Sequence, residues 1–209
     1  MEIWQFIVLV LVGIVVGFIN VISGGGSLIT LPILIFFGLD STVANASNRI
    51  GNIGQNIFAL AGFKSKGIKY DKYVFILGAA AAVGAILGTF MALKIPDKAF
   101  NKVLVGVMII VVLFTIFSPT KKASDVLERI HNKSKILGTI VFFFIGVYGG
   151  FIQAGTGLLI MAALSIINKF SFVKINTYKV VVALCYLSLG LGIFAWNGQV
   201  NWLYGITLA

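Results

Sequence analysis

The sequence predicts an all-α membrane protein that crosses the bilayer several times. Of its 209 residues, 59% are hydrophobic and 11% are charged, and the mean hydropathy is +1.07. A soluble domain of this size cannot bury so much apolar surface, whereas membrane helices expose it to lipid. Two glycine-interrupted segments at corresponding places further predict two inverted homologous repeats, whose short, broken, re-entrant-like helices meet near the midplane.

Hydrophobic runs separated by polar or glycine-rich stretches divide the chain into helical segments. The first run has no basic region before it and no small-residue cleavage site, which favours a transmembrane helix over a signal peptide. Two later runs are too short to cross a bilayer with ease, since a span needs about 20 apolar residues. We expect helices at 3–22, 27–38 (short, with Pro32), 43–62, 73–93, 100–117, 136–153, 158–168 (short) and 174–196, and one more span starting after Asn197–Asn201.

The two halves of the chain resemble each other when one is shifted by 131 positions. A single offset without gaps indicates an internal duplication. We therefore predict a first repeat at 1–118, a linker at 119–135 and a second repeat at 136–209, which we expect to be incomplete at its C-terminus because it lacks counterparts of 79–117. The identical pairs are Gly24 and Gly155, Gly26 and Gly157, Asn45 and Asn176, Phe63 and Phe194, Gly67 and Gly198, and Tyr73 and Tyr204.

The distribution of lysines predicts how the repeats are oriented. The loop 63–72 carries four lysines, whereas its counterpart, Asn197 to Tyr204, carries no charge. Because basic loops stay in the cytoplasm, the first loop and the basic stretch 118–135 are predicted inside, and the second loop outside. Equivalent loops on opposite faces imply inverted repeats. The same rule accounts for the net charge of +10 better than nucleic-acid binding does.

Polar residues inside the segment 43–62 indicate a pathway for a polar ligand or a helix–helix seam. Asn45, Arg49, Asn52 and Asn56 share one helical face because they are spaced by four, three and four positions. A charge within a span is costly and usually faces the bundle interior or a water-filled cavity. In the second half, Lys179 aligns with Asn48. It supplies a second positive charge to the pathway or lies at the helix flank.

Each glycine cluster precedes a short helix, where free N–H groups and the helix dipole favour an anion. The alternative for these glycines is close helix packing. A lone cysteine, Cys185, and a single histidine, in a hydrophilic loop, predict no metal or cofactor and no membrane-embedded hydrolase. The predicted anion-binding residues are Gly24, Gly25, Gly26, Ser27, Asn45, Asn48, Arg49, Asn52, Gln153, Gly155, Thr156, Gly157, Asn176 and Lys179.

Four stretches together resemble the sulfite exporter TauE/SafE family over essentially the whole chain: SGGGSLITLPIL, the following Ala-Asn-Ala-Ser-Asn, GGFIQAGTGLLIMAAL, and Asn-Gly-Gln-Val-Asn-Trp. The resemblance implies a multi-pass transporter of the bacterial or archaeal inner membrane that exports a sulfur-containing anion such as sulfite or an organosulfonate. Its partners would be this small anion and the lipid bilayer. Related thiosulfate carriers rely on several cysteines, so that substrate is not extended to this chain. An anion channel and a carrier of a non-sulfur organic anion are the open alternatives.

Overall fold

The computed structural model describes residues 1–117 and 131–209, and within these ranges the chain is helical with short connections and no strand. This confirms the all-α prediction. Of the predicted linker 119–135, residues 119–130 lie outside the described residues, and residues 132–135 form the first turn of a helix. The helices are α1 (Ile3–Ser23), α2 (Ser27–Phe36), α3 (Ser41–Ser65), α4 (Tyr73–Lys94), α5 (Asp97–Phe117), α6 (Asn132–Phe151), α7 (Thr156–Ala163, extended by a π-helical turn, Leu164–Asn168), α8 (Phe172–Trp196) and α9 (Trp202–Leu208).

Within the described residues, four helices are long and apolar enough to cross a membrane: α1, α4, α6 and α8. Their outward faces carry large hydrophobic side chains, and Ile3, Phe18 and Phe144 are between 64% and 81% exposed. Such a surface is unfavourable in water and is suited to lipid contact. The composition and these helices therefore agree on a polytopic membrane protein.

The local backbone geometry repeats at the same offset of 131 residues as the sequence. Helices α3 and α8 both contain 25 residues, and their first residues, Ser41 and Phe172, are equivalent at this offset. The residues with positive φ in the described chain also fall into equivalent pairs. These pairs are Gly24 (75°) with Gly155 (71°), Gly38 (92°) with Lys169 (52°), and Gly67 (70°) with Gly198 (68°).

Helices α1 and α2 form a hairpin whose tip is the glycine turn at 24–26. A Cβ atom added to Gly26 would lie 2.6 Å from Cγ1 of Val16, so α2 begins beside the last third of α1. At the other end, the rings of Trp4 and Phe37 are in edge contact with centroids 5.2 Å apart. Helix α2 therefore returns to the end of the molecule at which α1 begins.

Helices α6 and α7 form a second hairpin that opens at the opposite end. The start of α6 lies beside the start of α4, because the Tyr73 hydroxyl donates to the Ser134 carbonyl at 3.3 Å. The chain after α7 returns to the same place, where the rings of Phe170 and Tyr178 are 4.9 Å apart. Tyr73 and Tyr178 are themselves 6.4 Å apart, so both arms of this hairpin meet there.

Helices α3 and α8 run in opposite directions. The Tyr178 hydroxyl, near the start of α8, donates to the carboxylate of Asp71, which follows the end of α3. At the other end, the N–H of Asn201, after α8, donates to Oγ of Ser47 in the second turn of α3, at 2.8 Å. The loops 63–72 and Asn197–Asn201 therefore lie at opposite ends of this helix pair.

Glycines allow α4 and α6 to pack backbone against backbone. A Cβ atom on Gly146 would lie 2.6 Å from Cα of Ala81, and one on Gly150 would lie 2.6 Å from Cα of Ala85. Small residues at such a seam bring helix axes close together in membranes. The seam joins a helix of the first half to one of the second and fixes the end of α6 beside the candidate site.

The two hairpin tips touch through glycine backbone. A Cβ on Gly24 would lie 2.7 Å from the carbonyl carbon of Gly157, and one on Gly157 would lie 2.6 Å from Cα of Gly24. Gly24 also has a φ of 75°, in the left-handed region that favours glycine. Both the conformation and the contact therefore require a residue without a side chain at position 24.

We predict that Gly24→Ala destabilises the protein more than Gly67→Ala. Both positions have positive φ, but a Cβ at Gly67 meets nothing within 4 Å. Gly67→Ala therefore costs only the conformational penalty of about 1–2 kcal/mol, while Gly24→Ala adds an overpacking cost of about 1–3 kcal/mol. Thermal unfolding in detergent measures the difference, and equal midpoints for the two variants would contradict the backbone contact.

Candidate functional site

A small cavity lies where the two hairpin tips meet α3 and α8. Its volume is about 20 Å³, which is room for roughly one water molecule. An oxyanion of four or more heavy atoms would require the cavity to widen. It is lined by residues of both halves: Asn20, Gly24, Ser27, Asn52, Asn56, Gln153, Gly157, Lys179, Ala183, Tyr186 and Leu187.

Lys179 is the charged residue that lines this cavity. Its side chain projects from the second turn of α8, and the residue is 3% exposed. The Nζ atom donates to the carbonyls of Asn20 at 3.0 Å and Val21 at 2.7 Å, and to Oδ1 of Asn176 at 2.7 Å. The carbonyls at a helix C-terminus carry partial negative charge, so the end of α1 offsets part of the cost of burying this ammonium.

Arg49 holds the end of α6 in a corresponding way. The residue is fully buried, and its Nη2 atom donates to the carbonyls of Gly149 at 3.0 Å and Gly150 at 2.8 Å. Its guanidinium carbon lies 5.0 Å from the centre of the Phe194 ring, which is a cation–π contact. Nε and Nη1 have no hydrogen-bond partner among the described residues. Arg49 thus contacts protein groups, and it does not line the cavity.

The asparagines at the start of α3 satisfy backbone and side-chain groups at the broken helices. Nδ2 of Asn45 donates to the Phe151 carbonyl at 3.0 Å, and its Oδ1 accepts from the Gln153 N–H at 3.2 Å. Asn48 accepts a hydrogen bond from the Thr30 hydroxyl at 2.7 Å. These contacts tie α3 to the end of α6 and to α2, so both residues have a structural role beside the cavity.

Side-chain contacts also connect the two helix breaks, which are the turn at 24–26 between α1 and α2 and the turn at 152–155 between α6 and α7. The Ser27 hydroxyl donates to the Gln153 carbonyl at 3.3 Å and accepts from the Gly155 N–H at 3.3 Å. The Asn20 amide donates to Oδ1 of Asn52 and to Oε1 of Gln55, the latter at 3.1 Å. Residues near the first break therefore contact both the second break and α3.

The structure brings together part of the predicted site and adds to it. The predicted residues that line the cavity are Gly24, Ser27, Asn52, Gln153, Gly157 and Lys179. The other predicted residues do not line the cavity. They lie around it in turns, at helix ends, or on helices that they connect by hydrogen bonds: Gly25, Gly26, Asn45, Asn48, Arg49, Gly155, Thr156 and Asn176.

The predicted set omits three polar lining residues, Asn20, Asn56 and Tyr186. Signals for them exist in the sequence. Asn20 corresponds to Gln153 when two residues are skipped in the repeat. Asn56 continues the polar face of α3, and Tyr186 lies two turns after Lys179 on the same face of α8.

The site carries positive charge without a buried carboxylate in the described ranges. Arg49 and Lys179 are both buried there, whereas no aspartate or glutamate of residues 1–117 or 131–209 is. The carboxylate of Asp71 is paired with Lys174 at 3.6 Å, at one end of the molecule. The same ranges contain no group of three histidine, cysteine or acidic residues that could hold a metal ion. Amides, hydroxyls and a buried ammonium suit a small anion with oxygen acceptors.

Comparison with known proteins places the chain among transporters. It is 27% identical to a probable membrane transporter protein of Haemophilus influenzae over 96% of this chain and 78% of that protein. It is 24% identical to the probable membrane transporter protein YfcA of Escherichia coli, over 96% and 74%. A third relative, the probable membrane transporter protein ORF9 of a Sinorhizobium species, is 23% identical over 93% and 74%.

No solved structure gives a significant match. The sequence profile described as sulfite exporter TauE/SafE matches residues 9–209. With four helices among its described residues that are long and apolar enough to cross a membrane, and a profile match over nearly its whole length, this multi-pass membrane protein belongs to the sulfite exporter TauE/SafE family of membrane transporters.

Proposed function

We propose that the chain is a secondary transporter that exports a small sulfur-containing oxyanion, sulfite or an organosulfonate, across the cytoplasmic membrane. The observation that carries this proposal is Lys179, a buried cation in a polar cavity between two broken helices, with no buried carboxylate in the described residues. The family description supports sulfur chemistry. A buried charge in a membrane protein marks a substrate or ion pathway in most cases.

The lining residues supply the groups that an oxyanion requires. Asn20, Asn52 and Ser27 carry N–H or O–H donors that are paired with protein acceptors in this conformation, and Lys179 carries positive charge. The side-chain oxygen of Gln153 is buried without a partner among the described residues, and rotation of this amide would present its NH₂ group instead. Lys179 already donates three hydrogen bonds, so an incoming anion replaces one of those acceptors. Arg49 adds positive charge from behind the end of α6.

The arrangement of the hairpins supports inverted repeats with alternating access. The α1–α2 and α6–α7 hairpins open at opposite ends, and the equivalent helices α3 and α8 are antiparallel. In this proposal both short helices are re-entrant and their tips meet near the membrane midplane. The cavity, of about 20 Å³, then corresponds to a conformation that is too narrow to hold the anion. Rocking of the hairpins would open it to one side at a time.

Export in this direction needs no coupling ion. The membrane potential of a cell with a negative interior favours the exit of a monovalent anion by about 2.3 kcal/mol per 100 mV. Two alternatives remain as outcomes of the transport assay: an anion channel, and a carrier for a non-sulfur organic anion.

We predict that Lys179→Gln lowers the flux of sulfite or methanesulfonate from proteoliposomes by roughly tenfold or more, because a hydrogen bond to a charged group contributes about 1.5–3 kcal/mol. The exposed Lys72 provides the matched control, Lys72→Gln, which removes the same charge outside the cavity and should transport normally. Stabilisation of the purified protein by the anion against heat should disappear in Lys179→Gln alone.

Normal transport by Lys179→Gln would reject the proposed site. Saturable flux with counterflow distinguishes a carrier from a channel. A panel of sulfite, sulfate, thiosulfate, sulfoacetate and simple carboxylates identifies the substrate class. Transport of carboxylates alone would reject the sulfur substrate while keeping the carrier.

The proposed topology predicts that positions 66 and 199 are labelled from opposite sides of the membrane. Lys66→Cys and Gln199→Cys are introduced separately in a Cys185→Ser background, which removes the single native thiol. An impermeant thiol reagent added outside intact cells should modify position 199 and should modify position 66 only after permeabilisation. Modification of both positions from one side would refute the inverted orientation.

A further inference from the structure

A second cavity, which is a shallow cleft open to the outside with a volume of about 330 Å³, lies between the α3–α4 connection and the start of α8. It shares no lining residue with the cavity at the helix breaks. Its walls include Lys69, Tyr70 and Asp71 from the connection, Ser171 immediately before α8, and Lys174 from the first turn of α8.

The charges around this cavity favour an anionic group. The Asp71 carboxylate is already engaged, since it accepts from the Tyr73 N–H at 3.0 Å and from the Tyr178 hydroxyl, and lies 3.6 Å from Nζ of Lys174. Lys69 is exposed and has no ion pair with a described residue. Further lysines add positive potential at this end of the molecule: Lys64 in the last turn of α3, and Lys66 and Lys72 of the connection.

The border of the cavity is suited to lipid. The ring of Tyr70 packs on that of Phe75 with centroids 5.9 Å apart, and Phe75 is 54% exposed on α4. On the α8 side, Phe172 and Val173 are each 50% exposed. Lysines beside outward-facing aromatic residues at the ends of spanning helices are typical of the headgroup level of a bilayer. A free anion would make no favourable contact with the apolar side chains of this border.

We propose that this cavity binds the headgroup of an anionic phospholipid, with Lys69 contacting the phosphate and an acyl chain lying along Tyr70 and Phe75. Basic pockets between membrane helices are known to bind acidic headgroups. The bound lipid bridges the α3–α4 connection and the start of α8, the segments that Asp71 also connects. This site is independent of the transported anion and of the charge on Lys179.

The test compares phosphatidylglycerol with phosphatidylcholine of the same acyl chains, added to the detergent-purified full chain. We expect phosphatidylglycerol to raise the thermal midpoint by several degrees more than phosphatidylcholine, and native mass spectrometry to retain one phosphatidylglycerol molecule. In Lys69→Gln the additional shift should fall by at least half. The matched control is Lys66→Gln, which removes the same charge from an exposed lysine of the connection that does not line the cavity and should keep the full shift.

Two results would overturn the proposal. If the additional thermal shift from phosphatidylglycerol fell equally in Lys69→Gln and Lys66→Gln, or fell in neither, the lipid would not act at this cavity. Equal stabilisation by glycerol 3-phosphate at millimolar concentration, without lipid, would show that the cavity recognises a free phosphate and not a phospholipid. Retained anion transport by Lys69→Gln together with the lost lipid effect would support two separate sites.

Discussion

The site depends on two buried cations that each hold the broken helix end of the other half. Lys179, in the second half, donates to carbonyls at the end of α1, and Arg49, in the first half, donates to carbonyls at the end of α6. Ending a helix inside a bilayer leaves carbonyl groups without partners, at a cost of several kcal/mol each. Those carbonyls in turn offset the burial of the cations. Each half therefore supplies hydrogen-bond donors to the broken helix end of the other half.

The equivalent halves do not form chemically equivalent walls. Asn52 and Asn56 of α3 line the cavity, and so do their counterparts at the offset of 131 residues, Ala183 and Leu187 of α8. The first helix thus contributes amides, and the second contributes two apolar side chains, the Tyr186 hydroxyl and the ammonium of Lys179. The repeat preserves helix lengths and turn conformations because helix packing requires them. Its side chains are free to diverge wherever they face a cavity instead of a neighbouring helix.

Composition and pattern were sufficient to predict the helical class, the positions of the helices and the glycine breaks. These features follow from local rules, since hydropathy identifies spans and glycine marks positive φ. The hydrogen-bond partners of Arg49 could not be predicted from sequence. Every residue carries a backbone carbonyl, and only the fold determines which carbonyls lack a hydrogen-bond donor at the end of a helix. Asn45 was likewise recognisable as a polar residue within an apolar segment. The sequence did not show whether it binds a ligand or holds two helices together. The inverted orientation and the binding residues remain predictions.

The tips of the two hairpins meet as bare backbone, at Gly24 and Gly157, whereas α4 and α6 are fitted against each other along several turns. No side chains interdigitate at this contact, and hydrogen bonds hold the tips together, among them those of Ser27 with Gln153 and Gly155. The two halves are thus joined by a long seam between α4 and α6 and, at the centre, by a few polar contacts. In the proposed mechanism, an anion that enters beside the tips competes for those polar contacts, so its binding changes how the two halves are joined.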